Sequence, residues 1–330
     1  MPAGSRLWEA VEQEHELPVY RPRRKRVESH AACRNRRMPH SHITERSRAT
    51  GMPIRESARF VHDARMTDAL FTPHKRGYVP SDHARGPWDR GAMHGGPPAA
   101  LMAAVMEALP TDSPMAVVRT TVEIFRPVPL RPVEVAARIE RPGHRVQMLT
   151  ATLTDGNTEL CRATAWRMRI ADLNLGELPA LEVPFAGPAD SVAHVPESDD
   201  PAFHRTGMEM RYARGSFVEV GPATVWMRLA VPLIAGQTPT PLQRTLAAAD
   251  FGNGVASALP WGQFLFINTD LTVYLHRQPE SEWICLDANT DVDPRGVGVA
   301  HSRLYDERGP IGHSLQGLFI DKLRGSPPSV

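Results

Sequence analysis

Three polar side chains in the second half of the chain have the chemistry needed to activate a water molecule. Asp250 follows an Ala-rich run and precedes a phenylalanine, and a carboxylate buried there is costly unless it is paired or used. A carboxylate can act as a general base, and the amides of Asn268 and Gln316 can orient a water or donate to an oxyanion. The structural alternatives are a carboxylate satisfied by backbone donors at a helix end and two strand residues that face solvent. Asp270 or Thr272 could also serve in place of Asn268.

An internal repeat distinguishes these three residues from other polar residues. Each half of the chain has a helix-like run followed by four strand-like runs, which we call the first copy and the second copy. The first of these strands end at Phe125-Arg126 and at His276-Arg277. Counted from these arginines and from the turns of the last hairpins, the three polar residues correspond to apolar ones: Asp250 to Ala99, Asn268 to Val117 and Gln316 to Ala165. This asymmetry predicts an active site in the second copy.

The first copy predicts a helix enclosed by a sheet. Pro97 and Pro98 precede a run of Ala, Leu and Met, and proline in the first turn favours a helix over about residues 97–109. The run is apolar on nearly every side, so we expect the helix to be enclosed. Four strand-like runs follow it, at residues 117–125, 133–139, 148–153 and 160–166. One helix wrapped by a curved antiparallel sheet is the hot-dog architecture.

The second copy repeats this pattern. A helix is predicted over about residues 242–259, where Gly252 and Gly254 lower the helix propensity and allow a ligand or another backbone to come close. Six strand-like runs flank this helix: residues 208–212, 224–231, 264–275, 282–289, 296–305 and 311–320. The predicted fold is therefore α+β, a double hot-dog in which two curved antiparallel sheets each wrap around a central helix.

The sequence outside the two copies predicts the domain organisation. Residues 1–65 are rich in basic runs and are predicted to be a disordered basic extension, with a nucleic-acid or targeting arm as the alternative and Met66 as a candidate true start. Residues 66–171 are predicted to form an N-terminal hot-dog domain, and residues 206–323 a catalytic C-terminal hot-dog domain. A linker rich in Pro, Asp, Glu and Ser joins them at 172–205, and a tail follows at 324–330.

Composition favours a cytoplasmic enzyme or binding protein. A chain of 330 residues has room for two domains. Its net charge of +1 is too small to attract nucleic acid electrostatically. The longest apolar runs are too short to span a bilayer, and no signal-peptide pattern opens the chain. The three cysteines, Cys33, Cys161 and Cys285, lie at wide spacings, which favours neither a disulfide framework nor a metal cluster. We expect no metal, no cofactor, no membrane and no nucleic-acid partner.

His94 lies before the first helix, and two interpretations of it are open. It could act as a general base beside a helix N-terminus, where backbone N–H groups bind a carbonyl oxygen or a phosphate. Alternatively, it is a polar residue before a helix whose glycines allow tight packing. No charged partner lies near it in the sequence, which favours the structural interpretation.

Two segments of the second copy resemble the acyl-CoA thioesterase II family, a group of tandem double hot-dog enzymes. Residues 268–277, NTDLTVYLHR, and the following 282–284 are similar to that family's strand ending in a His-Arg pair before a Trp strand. Residues 306–309 through 314–317 are similar to its closing hairpin with a glutamine. The resemblance extends over about residues 68–320 and is most specific in the last part.

The resemblance implies a set of site residues. In that family an Asp on the second helix, a Thr or Ser on the next strand and a Gln on the last strand hold and activate a water. Asp250 and Gln316 match the first and last of these, and Asn268 takes the place of the hydroxyl residue. An Asn can hydrogen-bond a water but cannot relay a proton as a hydroxyl can. Thr269 or Thr272 could supply the hydroxyl under a different local register.

The implied activity is hydrolysis of fatty acyl-CoA thioesters to free acid and CoA. Asp250 would be the general base, Asn268 and Gln316 would position the water, and a backbone N–H near residues 250–254 would hold the oxyanion. No covalent intermediate, metal or cofactor is required by this scheme.

The acyl chain would lie between helix and sheet, in a groove lined by Phe251, Trp261 and Phe264. Unpaired sheet edges favour a homodimer or higher homo-oligomer. Two alternatives are open: a dehydratase or hydratase of the same fold that pairs His94 with Asp250, and an acyl-CoA binding protein without catalysis.

Overall fold

The computed structural model describes residues 68–75, 77–176, 179 and 181–323. The basic extension at 1–65, the candidate start Met66 and the tail at 324–330 lie outside the described residues. Within the described ranges, no helix combines the length and the apolar character needed to cross a bilayer.

The first copy consists of a hairpin, a buried helix and four long strands. Its elements are β1 (Phe71–His74), β2 (Gly77–Pro80), α1 (Gly96–Glu107), β3 (Met115–Ile124), β4 (Glu134–Arg141), β5 (Val146–Asp155) and β6 (Thr158–Arg169). Pro97 and Pro98 lie in the first turn of α1, where their missing N–H groups cost no intrahelical hydrogen bond. The helix is buried on nearly all sides, because its small apolar residues let the surrounding strands approach closely.

The second copy has the same plan, but the helix predicted over 242–259 and the strand predicted over 264–275 are each divided in two. Its elements are β7 (Val192–Ala193), β8 (Met208–Arg214), β9 (Ala223–Leu229), α2 (Pro241–Ala249), α3 (Gly252–Val255), β10 (Phe264–Asn268), β11 (Asp270–Leu275), β12 (Ile284–Asp293), β13 (Val297–Asp306) and β14 (Gly309–Lys322). Thr240 begins α2 with a reciprocal capping box to Gln243. The predicted strand at 264–275 is interrupted at Thr269, because the Asp270 carboxylate accepts the Gly317 N–H at 2.9 Å.

The two predicted sheets join edge to edge into one antiparallel sheet. Its strand order is β4-β5-β6-β3-β11-β14-β13-β12-β9-β8-β7, and β10 also pairs with β14. The join lies between β3 and β11, where Asp270 is opposite Glu123 and Tyr274 is opposite Arg119. Helices α1 and α2 pack against each other as well as against the strands. The architecture is the predicted α+β double hot-dog.

Strand register shows that the repeat holds residue by residue. Equivalent residues form equivalent cross-strand pairs: Asn268 with Leu318 as Val117 with Arg167, and Gln316 with Ala300 as Ala165 with Leu149. For Asn268 and Gln316, the correspondences counted along the sequence are therefore correspondences in space. Strand register does not extend to Asp250, which follows the end of α2, whereas Ala99 lies near the start of α1. Polar side chains of the second copy do occupy positions that are apolar in the first.

The segment at residues 172–205 contributes more to the fold than a simple crossing. Ala186 accepts a 2.8 Å hydrogen bond from the Trp226 indole, and β7 pairs with β8. Phe203 is fully buried, and its ring lies 5.2 Å from the ring of His94 and 5.3 Å from that of Phe251, measured between centroids. This segment therefore helps to build the wall around the candidate site.

Candidate active site

Asp250 follows α2 directly, and its carboxylate is the most enclosed charged group of the site. Its side chain is only 3% exposed. Asn268 Nδ2 donates to Oδ1 at 2.8 Å and Gln316 Nε2 lies 3.3 Å from the same oxygen, while His94 Nδ1 lies 2.8 Å from Oδ2. A carboxylate offers about four lone-pair positions. Three neighbours therefore leave room for one further donor, such as a water molecule.

The structure brings Asp250, Asn268 and Gln316 together, and the two amides hold the carboxylate. Gln316 Nε2 also lies 3.1 Å from the Asp250 backbone oxygen, while its Oε1 accepts the Asn253 N–H at 3.1 Å. Asn268 Nδ2 is also 3.3 Å from the Asp270 backbone oxygen. The amide N–H groups thus point at Asp250 and its neighbours. Asn268 Oδ1 accepts no hydrogen bond from any described residue and is available to a water.

His94 belongs to the site, although its sequence neighbours favoured a structural role over a chemical one. The sequence shows no charged partner nearby, because the partner, Asp250, comes from the other copy. His94 Nδ1 also lies 3.2 Å from the Gly96 N–H, and a protonated nitrogen cannot accept this N–H while it donates to Asp250. The position of one proton therefore decides which contact is a hydrogen bond. The only signal in the sequence was a histidine before a glycine-rich helix start.

The two hydroxyl groups considered as alternatives to Asn268 do not reach the carboxylate. Thr272 Oγ1 donates to Thr121 Oγ1 at 3.1 Å. Thr269 Oγ1 lies 3.4 Å from the Gly317 backbone oxygen and 3.4 Å from Asp270 Oδ1. Asn268 therefore occupies the position on which the family resemblance places a hydroxyl.

Glycine is required where α1 begins and where α3 begins. A Cβ atom on Gly95 would lie 2.7 Å from Asp250 Oδ2, and a Cβ atom on Gly252 would lie 2.8 Å from Gln316 Oε1. Both distances are shorter than real Cβ contacts. The absence of a side chain at these two positions lets the backbone of α1 and α3 approach the polar cluster.

Replacing Gly95 with alanine is expected to lower kcat by about 10-fold or more, because a displacement of about 1 Å at a site can cost as much as 100-fold. The added methyl would push the Asp250 carboxylate away from its present position. Gly187→Ala is the matched control, since a Cβ there meets nothing within 4 Å and its φ is −68°. Steady-state kinetics and thermal unfolding of both variants test this. Equal kcat values in the two variants would contradict it.

A cavity of about 420 Å³ opens above the carboxylate. Both copies line it: His94, Ile124 and Arg126 come from the first, and Trp261, Phe266 and Asn268 from the second. Concave and mainly apolar walls with a few polar groups are typical of small-molecule sites.

Aromatic rings form one wall of the cavity, although the expected set was partly wrong. Trp261 lines the cavity as expected, stacked on Trp88 with centroids 5.2 Å apart. Phe266 meets both indoles edge-on. Phe251 is not part of the lining because its ring packs 4.4 Å from the His94 ring, and Phe264 packs beside Trp261 outside the cavity.

Two further titratable groups near the cavity are neutral at pH 7. Burial, and then the charge of Asp250, raises the pKa of the Cys161 thiol to about 12. A protonated thiol is a poor nucleophile, although Cys161 lines the cavity. Burial, and then the nearby His94, lowers the pKa of His204 to about 4. Of the two carboxylates among the described cavity residues, Asp89 and Asp250, only Asp250 has histidine and amide partners together.

The fold and this cluster define a class of protein: a double hot-dog with a buried carboxylate beneath an apolar cavity. Residues 84–168 match the acyl-CoA thioesterase N-terminal domain, and residues 184–320 match the acyl-CoA thioesterase C-terminal domain. The chain belongs to the acyl-CoA thioesterase family and is a thioester hydrolase.

Solved structures share the fold at low sequence identity. A hot-dog protein of unknown function from Alicyclobacillus acidocaldarius has 17% identity and a TM-score of 0.60, over 79% of this chain and 98% of that one. A candidate thioesterase II from Thermobifida fusca has 15% identity and a TM-score of 0.59, over 79% and 97%. An acyl-CoA thioesterase II from Mycobacterium marinum has 12% identity and a TM-score of 0.51, over 82% and 100%. No curated protein matches the chain.

Proposed function

We propose that the protein hydrolyses fatty acyl-CoA thioesters to free acid and CoA with a water activated by Asp250. The observation that supports this is the enclosed Asp250 carboxylate, held by two amides and a histidine at an apolar cavity. Asp250 removes a proton from the water, whose oxygen attacks the thioester carbonyl carbon. The carbon–sulfur bond then breaks, and the proton passes to the departing sulfur.

Asn268 and Gln316 have separate tasks in this proposal. Both donate to Asp250 Oδ1, which fixes the orientation of the carboxylate. Asn268 Oδ1 accepts one hydrogen of the attacking water, and Asp250 accepts the other. The water is thereby oriented with a lone pair toward the substrate. A backbone N–H near the start of α3 polarises the carbonyl, and removal of such a donor typically costs about 100-fold or more in rate.

Release of free thiol from a panel of acyl-CoAs tests the proposal. The purified protein is incubated with acyl-CoAs of increasing chain length and a thiol-reactive dye. We expect dye reaction that depends on protein concentration and on chain length. Binding of acyl-CoA without thiol release, at concentrations above the dissociation constant, would instead support the non-catalytic binding protein.

One observation favours a second candidate, a dehydratase or hydratase of acyl thioesters. His94 and Asp250 come from different copies and lie 2.8 Å apart, which is the pairing that this alternative needs. It leaves no task for Gln316, which contacts Asp250 as closely as 3.1 Å.

His94→Ala distinguishes the two candidates when the products are identified. We expect thiol release to fall by about 10-fold to 100-fold, because His94 Nδ1 orients Asp250 but does not attack the substrate. Wild-type protein given a 2-enoyl-CoA should yield free CoA, measured by chromatography. Formation of 3-hydroxyacyl-CoA by the wild type, abolished in the variant, would identify the dehydratase or hydratase.

A further inference from the structure

Arg126 and its repeat counterpart Arg277 have different surroundings. Arg277 follows β11 and donates to both carboxylate oxygens of Asp306, at 2.7 and 2.5 Å. It also donates to the Gly309 backbone oxygen at 3.0 Å. Arg126 follows β3 and lines the cavity, where its side chain is exposed. Its guanidinium makes no hydrogen bond or ion pair with any residue of the described ranges.

A second arginine explains why Arg126 is free. Asp155 is the counterpart of Asp306, so it is the acid that would hold Arg126 if the copies were alike. In the first copy Asp155 is bound by Arg131 instead. Arg131 Nε donates to Asp155 Oδ2 at 2.9 Å, and its guanidinium makes a second contact with the same oxygen. The structural partner of Arg126 is therefore occupied, and the guanidinium remains at the cavity.

Arg126 lies at the entrance of the cavity rather than at its base. The cavity residues that are exposed are those at 87–89, 125–127, 267 and 269, so solvent and substrate enter there. The acid at this entrance, Asp89, already accepts the Gly91 N–H of its own loop at 2.7 Å. The neighbouring Arg90 is directed to Asp200, at 3.0 Å. Among the described residues, Arg126 is thus the cation at the cavity entrance whose side chain has no partner.

We propose that Arg126 binds the phosphate of the phosphopantetheine arm that carries the acyl group. This assignment rests on the proposed function, since it concerns the substrate of the same cavity. A guanidinium presents a rigid fork of N–H donors that matches phosphate oxygens. CoA and the arm of an acyl carrier protein both attach pantetheine to a phosphate, so the recognised chemistry is common to both carriers. The acyl group lies deeper, against the aromatic wall.

Kinetics on substrates with and without the phosphate test the assignment. For Arg126→Ala we expect KM for acyl-CoA to rise about 10-fold with little change in kcat, because a hydrogen bond between charged groups is worth about one tenfold step in affinity or more. KM for the matching acyl-pantetheine, which has no phosphate, should be unchanged. Arg126→Lys should give an intermediate value. Arg138→Ala, on β4 and away from the cavity, is the control for loss of one surface charge and should leave both KM values unchanged.

Each outcome supports or overturns the assignment. An equal rise in KM on both thioesters, or no rise on either, overturns it. Acyl-4′-phosphopantetheine carries only the phosphate that the two carriers share, and it should show the same penalty as acyl-CoA. A penalty confined to acyl-CoA would place the contact on the nucleotide and overturn the assignment to the shared phosphate.

Failure of the proposed function gives a different result, because wild-type protein would then release no thiol from any of these substrates. Calorimetric binding of CoA and of pantetheine to the wild type and to Arg126→Ala makes the same comparison without catalysis. If Arg126→Ala weakens the binding of CoA but not that of pantetheine, the phosphate contact is supported. Unchanged binding of CoA overturns it.

Discussion

Replacement of Asp250 by asparagine is expected to lower kcat for acyl-CoA hydrolysis by about 1,000-fold, within the range that a general base contributes. An amide cannot remove a proton from water, so the chemical step loses its base. Asparagine has nearly the same shape and still accepts from Asn268 and Gln316 through its side-chain oxygen. Its side-chain N–H can donate to His94 Nδ1. Substrate binding and the midpoint of thermal unfolding should therefore change little.

Asp270→Asn is the matched control for this variant. Asp270 is a carboxylate at the start of β11. Its Oδ1 accepts the Gly317 N–H, and asparagine preserves this interaction. Thiol-release kinetics, acyl-CoA binding and thermal unfolding of both variants are compared with wild type. If Asp250→Asn hydrolysed acyl-CoA at the wild-type rate, Asp250 would not be the base and the proposed mechanism would be wrong.

Local sequence patterns predicted the elements that position the site. The helix expected over residues 97–109 is α1 at Gly96–Glu107, and proline in its first turn gave the start within one residue. Each long strand was found near its predicted place because alternation and turn residues depend on neighbours in the sequence. The repeat then placed Asn268 and Gln316 opposite Val117 and Ala165, and strand register agrees with this count.

Contacts between distant segments were the part that the sequence could not supply. The break at Thr269 depends on a side chain that replaces a backbone acceptor of the neighbouring strand. Pairing of β3 with β11 depends on two strand edges from different copies. The partner of His94 comes from the second copy, so inspection of its sequence neighbours suggested a structural role. Phe266 lines the cavity, whereas Phe264, two residues earlier on β10, does not.

Asp306→Ala is expected to reduce the free energy of unfolding by about 3 kcal/mol, in the range for breaking a buried ion pair. Asp306 is fully buried and accepts two contacts from Arg277 as well as the N–H groups of Glu280 and Arg308, at 2.8 and 2.9 Å. Its removal leaves the Arg277 cation without its carboxylate partner and both N–H groups without their acceptor.

The same ion pair predicts the direction of the pH dependence. Burial alone would raise the pKa of Asp306, but the hydrogen bonds from Arg277, Glu280 and Arg308 outweigh it and hold the pKa below its ordinary value. The unfolded chain therefore takes up a proton at higher pH than the folded chain. The contribution of Asp306 is complete above the ordinary Asp pKa of about 4 and is lost as the pH falls through the lower folded value. Asp306→Ala should consequently show a weaker loss of stability on acidification than wild type.

Asp155→Ala provides the control, because Asp155 is the counterpart of Asp306 in the first copy. Its partner Arg131 has a side chain that is 62% exposed, and exposed ion pairs contribute about 1 kcal/mol or less. Denaturant unfolding of both variants, at neutral pH and at about pH 2, below the ordinary Asp pKa, measures the difference. Equal destabilisation by the two substitutions would mean that the Arg277–Asp306 pair has no special structural role.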